Sequence, residues 1–204
     1  MSFGPITTAG ALERATEQLA AVWLPYFLAE VARQDGHQAG EPWPATPRTI
    51  ETYTRNDAMW AEVQLPAVVI YSPGTVDTPE RDGRGRWSAW WRLIVGAVVG
   101  ASTQDHTRRL AHRYAAAIRA LMVSHPTIGG VADRLAWVGE SYGEFPTDQA
   151  RTLTDVAVEF RVHMSDVASV GPRELPTPHP DPHDPWPGAP TVITPNVAVR
   201  GRTP

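Results

Sequence analysis

The chain contains no cysteine. That excludes disulfide staples, thiolate zinc sites and cysteine nucleophiles. It contains no lysine either, so all 18 basic side chains are arginine and a phosphate-cradling Gly-x-x-x-x-Gly-Lys loop is impossible. No apolar run approaches the roughly 18 residues that a membrane-crossing helix needs. The amino end, Met1-Ser2-Phe3-Gly4-Pro5-Ile6, lacks the basic start and long apolar stretch of a secretory signal. The formal net charge is −4, so the chain as a whole is no polycation built to neutralise phosphates. What remains is a 204-residue chain, 42% hydrophobic and 20% charged, the composition of one packed domain with an appendage.

Proline marks the boundary of that appendage. Ten of the 20 prolines lie among the 34 residues from Gly171 to Pro204. This divides the chain into a body, 1–168, and an arm, 169–204. Proline at every second or third position from Leu175 to Pro187 forbids a helix or a central strand and predicts an extended, polyproline-like segment. The arm carries Glu174, Asp181 and Asp184 against Arg173, Arg200 and Arg202. It is therefore neutral and unsuited to act as a nucleic-acid tail. Its large apolar side chains, Trp186, Val192 and Ile193, are the candidate anchors.

In the body, apolar residues recur at helical steps from Gly10 to Gln34: Leu12, Ala15, Leu19, Val22, Trp23, Tyr26, Phe27 and Val31. Thr8 is the expected N-cap, and Pro25 is expected to kink or split the helix near Leu24. Thr46 to Leu65 gives no clear pattern. Leu65 to Tyr71 reads as a short strand closed by Ser72-Pro73-Gly74, followed by a charged loop from Asp77 to Arg86. Trp87 to Gly100 is a long strand with Trp87, Ala89, Trp91, Leu93, Val95, Ala97 and Val99 on one face. Ser88, Trp90, Arg92, Ile94 and Val98 lie on the other. A strand apolar on both faces needs cover on both.

Ser102 is the expected cap of a second helix that buries Leu110, Tyr114, Ala117, Ile118, Leu121 and Met122 and ends at His125-Pro126. A short strand, Leu135 to Gly139, precedes a longer one, Arg151 to Met164. The latter points Val156, Val158, Phe160, Val162 and Met164 one way and Asp155, Glu159, Arg161 and His163 the other. Strands flanking a helix without repeated βαβ units imply an α+β fold: a mostly antiparallel four-stranded sheet with helices packed on it, plus the arm.

Chemistry-bearing residues form no catalytic constellation. His179, Asp181, His183 and Asp184 have ligand-like composition, but the intervening prolines stiffen the chain against wrapping one ion. His106, His112 and His125 lack the His-Glu-x-x-His pattern of a metalloprotease helix, and no Gly-x-Ser-x-Gly nucleophile elbow occurs. No cofactor or metal is expected. From Arg81 to Arg119 eight arginines face only Asp82 and Asp105, a local excess of +6 that reads as a solvated face, an interface or a DNA contact. Arginine and tryptophan are enriched at binding hot spots. Arg81, Arg84, Arg86, Trp87, Trp90 and Arg92 are therefore the candidate subunit interface.

The order of elements and the local sequence of Leu65 to Ile70, Trp91 to Val99, Leu110 to Leu121, His125 to Gly130, Trp137 to Tyr142 and Thr154 to Val162 resemble the tail terminator proteins of long-tailed bacteriophages. The resemblance spans about Leu12 to Val167. It implies a non-enzymatic virion protein at the neck, assembled in the host cytoplasm. It implies a homohexameric ring on the end of the tail tube, which stops tube growth and offers a surface for joining the head. Its partners would be further copies of itself, the tail tube protein and a head-completion or neck protein. DNA would only pass through the lumen, without sequence-specific binding, and no membrane would be involved. A connector or stopper of the same neck, and a small soluble enzyme, are the alternative readings.

Overall fold

The structure, a computed structural model, describes residues 7–36, 43–52, 65–146 and 152–169. They form helix α1 (Ala9–Gln34), strands β1 (Thr49–Thr52), β2 (Ala67–Thr75), β3 (Glu80–Arg81) and β4 (Arg86–Gly100), helix α2 (Gln104–Ser124), a short 3-10 turn (Ile128–Gly130), and strands β5 (Arg134–Pro146) and β6 (Thr152–Ser169). The sheet runs β1-β2-β4-β6-β5, with β3 pairing onto β4. All pairings are antiparallel except β1 with β2. The α+β class is as the sequence implies. The sheet has six strands rather than four, because Thr49–Thr52 and Glu80–Arg81 add short strands within segments that carry no strand periodicity.

Both helices cover the face that carries Val68 and Ile70 of β2, Leu93, Val95, Ala97 and Val99 of β4, and Val156, Val158, Phe160, Val162 and Met164 of β6. The alternation read from β4 and β6 thus assigns the core face correctly. Tyr114 of α2 is fully buried there, and its hydroxyl donates to the Ala45 carbonyl at 2.7 Å. That bond offsets the cost of burying the phenol.

Helix α1 departs from expectation in two ways. It runs unbroken through Pro25. The Ala21 carbonyl that loses a donor to proline belongs to an exposed residue, so water can satisfy it, and burial of Leu24 and Leu28 holds both sides of the would-be break. The buried stripe also differs: it is Leu12, Thr16, Ala20, Leu24, Leu28 and Ala32, a strict four-residue repeat. Ala15, Leu19, Phe27 and Val31 pack at its margin, whereas Val22, Trp23 and Tyr26 are exposed. Small residues on the buried stripe permit close approach. Thr16 is accommodated by donating its hydroxyl to the Leu12 carbonyl at 2.8 Å. Thr8 occupies the N-cap position but makes no side-chain capping bond.

Helix α2 is capped by Thr103, one residue later than Ser102: its hydroxyl accepts from His106 N at 3.3 Å, with Asp105 in the first turn. Strand β2 continues through Ser72-Pro73-Gly74 instead of stopping there. The register shifts between Tyr71 and Gly74, and such a bulge tolerates proline. Within it, Ser72 N donates to Glu13 of α1 at 2.7 Å and Ser72 Oγ donates to the Arg92 carbonyl at 2.7 Å. Strand β5 extends far beyond Gly139, to Pro146, running through Gly139 and Gly143. A Cβ on Gly143 would collide with the Asp155 carboxylate.

Candidate assembly surface

The pairing register lays out the sheet face opposite the helices row by row, since directly opposed residues share a face. One row reads Ala67, Val98, Asp155 and Gly143, and the next Val69, Gly96, Ala157 and Ser141. Then come Tyr71, Ile94, Glu159 and Gly139; Gly74, Arg92, Arg161 and Ala136; and finally Trp90, His163 and Arg134. Among the described residues no helix lies on this face. It therefore has a low floor of small residues at one end and a tryptophan–arginine cluster at the other.

Trp90 is the centre of that cluster. The guanidinium of Arg134 lies 4.7 Å and that of Arg161 5.3 Å from its ring centroid, and His163 meets it edge-on at 5.1 Å. Contacts of this kind contribute about 0.5–2 kcal/mol each, more as water is excluded. Arg92 pairs with Glu159 across the strands at 2.6 Å, and Arg161 with Asp77 of the β2–β3 loop. His163 Nδ1 and Ser165 Oγ both contact Asp133 Oδ2, at 2.9 and 2.6 Å. Burial pushes the Asp133 carboxyl up, but these bonds outweigh it and hold the group below the usual carboxylate range.

The remaining candidate arginines sit at the β3–β4 hairpin. Asp82 closes this turn by accepting from Arg84 N at 2.8 Å, Arg86 N at 2.9 Å and Arg86 Nε at 2.8 Å. Those bonds hold its carboxyl below the ordinary range and the Arg86 guanidinium above its own. Arg86 also reaches Asp166 at 3.6 Å, and Arg81 lies over Trp87 at 5.9 Å. Arg84 is exposed at the tip. Trp91, by contrast, faces the helices and packs half-buried against the core.

Part of the arginine excess from Arg81 to Arg119 is offset by acids from distant sequence: Glu159 for Arg92, Asp166 beside the nearby Asp82 for Arg86, Asp35 for Arg113 and Glu140 for Arg119. On the sheet face Arg92 and Arg161 are paired with acids and Arg134 and Arg161 frame the Trp90 ring, while Arg113 and Arg119 make their pairs on α2. Sequence reasoning named Trp90 and Arg92 but missed Arg134 and Arg161. Only the β4–β6–β5 register brings these two under Trp90, although Arg161 was legible as outward-facing. The arm anchors Trp186, Val192 and Ile193, and the cluster His179, Asp181, His183 and Asp184, lie outside the described residues.

A second concavity, of about 330 Å³, opens between the end of α1, α2 and β5. Its walls include Asp35, His112, Arg113, Arg119, Glu140 and Tyr142. Arg119 binds Glu140 at 2.5 Å and lies over Trp137, while the Tyr142 hydroxyl donates to Glu140 at 2.8 Å. Burial, then Glu140, push the Tyr142 phenol up to about 12, so it stays protonated as that donor. These bonds tie α2 to the sheet margin. No group of three or more metal-ligating side chains occurs among the described residues.

No protein-family model matches the chain, and no curated protein matches it. Among solved structures it is similar to a chain of the virion of a native gene transfer agent particle, at 15% identity and a TM-score of 0.46, over 79% of this chain and 99% of that one.

Proposed function

We propose that the chain is a structural ring protein of a phage-type tail neck, with the helix-free sheet face as a seam between copies. The observation that supports this reading most is the row of Trp90, Arg92, Arg134 and Arg161 on that face. Tryptophan and arginine, partly desolvated and rigidly held, are the side chains that dominate interface energies. The floor around Gly96 and Ala157 lets a flat partner surface come close. The resemblance of the body to tail terminators supplies the role. A homohexameric ring seats on the tail tube, ends its polymerisation and presents its far side to the neck, with DNA passing only through the lumen. The body, 1–168, makes the ring, and the arm, 169–204, reaches a neighbouring copy or the next ring through Trp186, Val192 and Ile193. The role is architectural, without cofactor or turnover.

The experiment is to withhold this protein during particle assembly and measure tail tubes by electron microscopy. A terminator's absence gives overlong, unjoined tubes. Tubes of normal length that fail only to join heads would instead favour a connector or stopper, and normal particles would remove the protein from the neck.

A further inference from the structure

The sheet has two edges of very different character. On one side β1 offers four residues, Thr49–Thr52. On the other, β5 offers 13, Arg134–Pro146, and among the described residues is paired only with β6. Along about 40 Å, every second residue of β5 therefore turns its N–H and C=O away from the sheet. Natural edges are guarded by lysine, proline, brevity or a covering element. This edge has no lysine, no proline before Pro146 and ample length. It also exposes Trp137 (48%), Val138 (52%) and Tyr142 (45%). Its single irregularity is a register shift between Trp137 and Gly139.

The chain itself carries a segment suited to such an edge. Beyond the proline-rich stretch that ends at Pro190 come Thr191-Val192-Ile193-Thr194 and Asn196-Val197-Ala198-Val199-Arg200, β-branched and broken only by Pro195. Proline has no N–H, so the stretch before it can act only as a spacer, whereas these residues can complete a ladder. The extended, polyproline-like spacer that the sequence implies from Gly171 to Pro190 would span about 60 Å. β6, the strand that leads into the arm, neighbours β5 but runs on to Ser169, six residues or about 20 Å past its pairing with Arg134, where β5 begins. β5 lies wholly behind that end of β6, so a stiff spacer continuing onward would have to reverse to reach its own edge and suits a crossing to another molecule.

We infer that Thr191–Arg200 of a neighbouring copy adds a strand to the outer edge of β5. This rests on the ring reading above and specifies one of its contacts. Exchange of an arm between copies would link the ring without a second apolar seam, and the stiff spacer lowers the entropy lost on docking.

Because the full chain has no cysteine, Val138→Cys gives a single attachment point for a benzophenone photocrosslinker. The labelled full-length protein is prepared in light and heavy-isotope forms, mixed, illuminated and digested, and the crosslinked peptides are read by mass spectrometry. The same samples are sized in solution. The inference expects crosslinks from position 138 to peptides within 191–200, with light–heavy pairs prominent, and their loss in Val138→Cys carrying Val197→Pro. Label at Arg14→Cys on α1 should give none. Crosslinks to 191–200 solely between peptides of one isotope would place the arm on its own sheet and overturn the inference. So would crosslinks elsewhere, or none, in a protein that still sizes as a ring; in that case the ring reading stands alone. A single-copy species at every concentration overturns both.

Discussion

Arg113, 6% exposed, donates through Nε to Asp35 Oδ2 at 2.9 Å, while Asp35 itself is 50% exposed. The pair joins α2 to the C-cap of α1, where the helix dipole alone would disfavour a carboxylate. The buried guanidinium is therefore the reason the acid is there. Removing the acid takes this counter-charge from the buried guanidinium, which costs more than replacing the guanidinium by an apolar side chain of similar volume.

Asp35→Ala should accordingly destabilise the fold by about 1–3 kcal/mol, or roughly 2–12 °C in thermal midpoint for a chain of this size. Arg113→Met, which fills similar volume without charge, should cost less. Thermal denaturation followed by circular dichroism checks the order of the two variants. A larger loss for Arg113→Met would contradict it.

Glu30 is one of the carboxylates, with Asp82 and Asp133, held below the ordinary range and so expected to contribute to stability on the acid side. Hydrogen bonds from Arg33 (at 2.9 and 2.6 Å) and Gln34 (at 2.5 Å) hold its carboxyl down at about 2. A carboxylate whose folded value lies below its unfolded one stabilises the fold above the unfolded value, near 4.5, and loses that contribution as pH falls towards 2. The denaturation midpoints of the native chain and Glu30→Gln should differ at neutral pH and converge as pH approaches 2. A difference that is constant with pH would assign the effect to something other than this carboxylate.

Gly96 lies at the middle of the helix-free face, where an added Cβ would stand 3.1 Å from the Val156 carbonyl oxygen. Backbone on the partner strand cannot swing aside as a side chain can. Gly96→Val should cost about 1–3 kcal/mol by denaturant titration. Phe160→Ala, on the buried face, should cost about 3–5 kcal/mol through the cavity it leaves.

The long strands were legible from period two: Val156, Val158, Phe160, Val162 and Met164 of β6 are buried as the alternation requires, while β4, apolar on both faces, buries Leu93, Val95, Ala97 and Val99 under the helices and Ile94 on the other face. Helix α1 was legible as a helix but not in its orientation. Apolar residues occupy two stripes, and the one with Thr16, Ala20 and Ala32 wins by packing closely, leaving Val22, Trp23 and Tyr26 outside. Strand β5 continues past the expected Leu135 to Gly139 as far as Pro146, where the sequence has no clean alternation, and Gly143 within it clears Asp155 across the strands. The candidate surface was half legible. Trp90 and Arg92 announce themselves by type and position, but Arg134 and Arg161 join Trp90 only through long-range register, and the acids that neutralise the arginines lie far off in sequence.

The account stands or falls on whether the helix-free face joins copies of this chain. Native mass spectrometry of the full-length protein beside Trp90→Asp and Arg92→Asp tests this most directly, with circular dichroism confirming that each variant is folded. Truncation at an interface hot spot typically weakens association by about 2 kcal/mol or more, about 30-fold, and an acid in place of either residue adds an unpaired buried charge. The account predicts a closed ring for the native chain and folded single copies for both variants. A single-copy native chain, or variants that assemble as the native chain does, would contradict it.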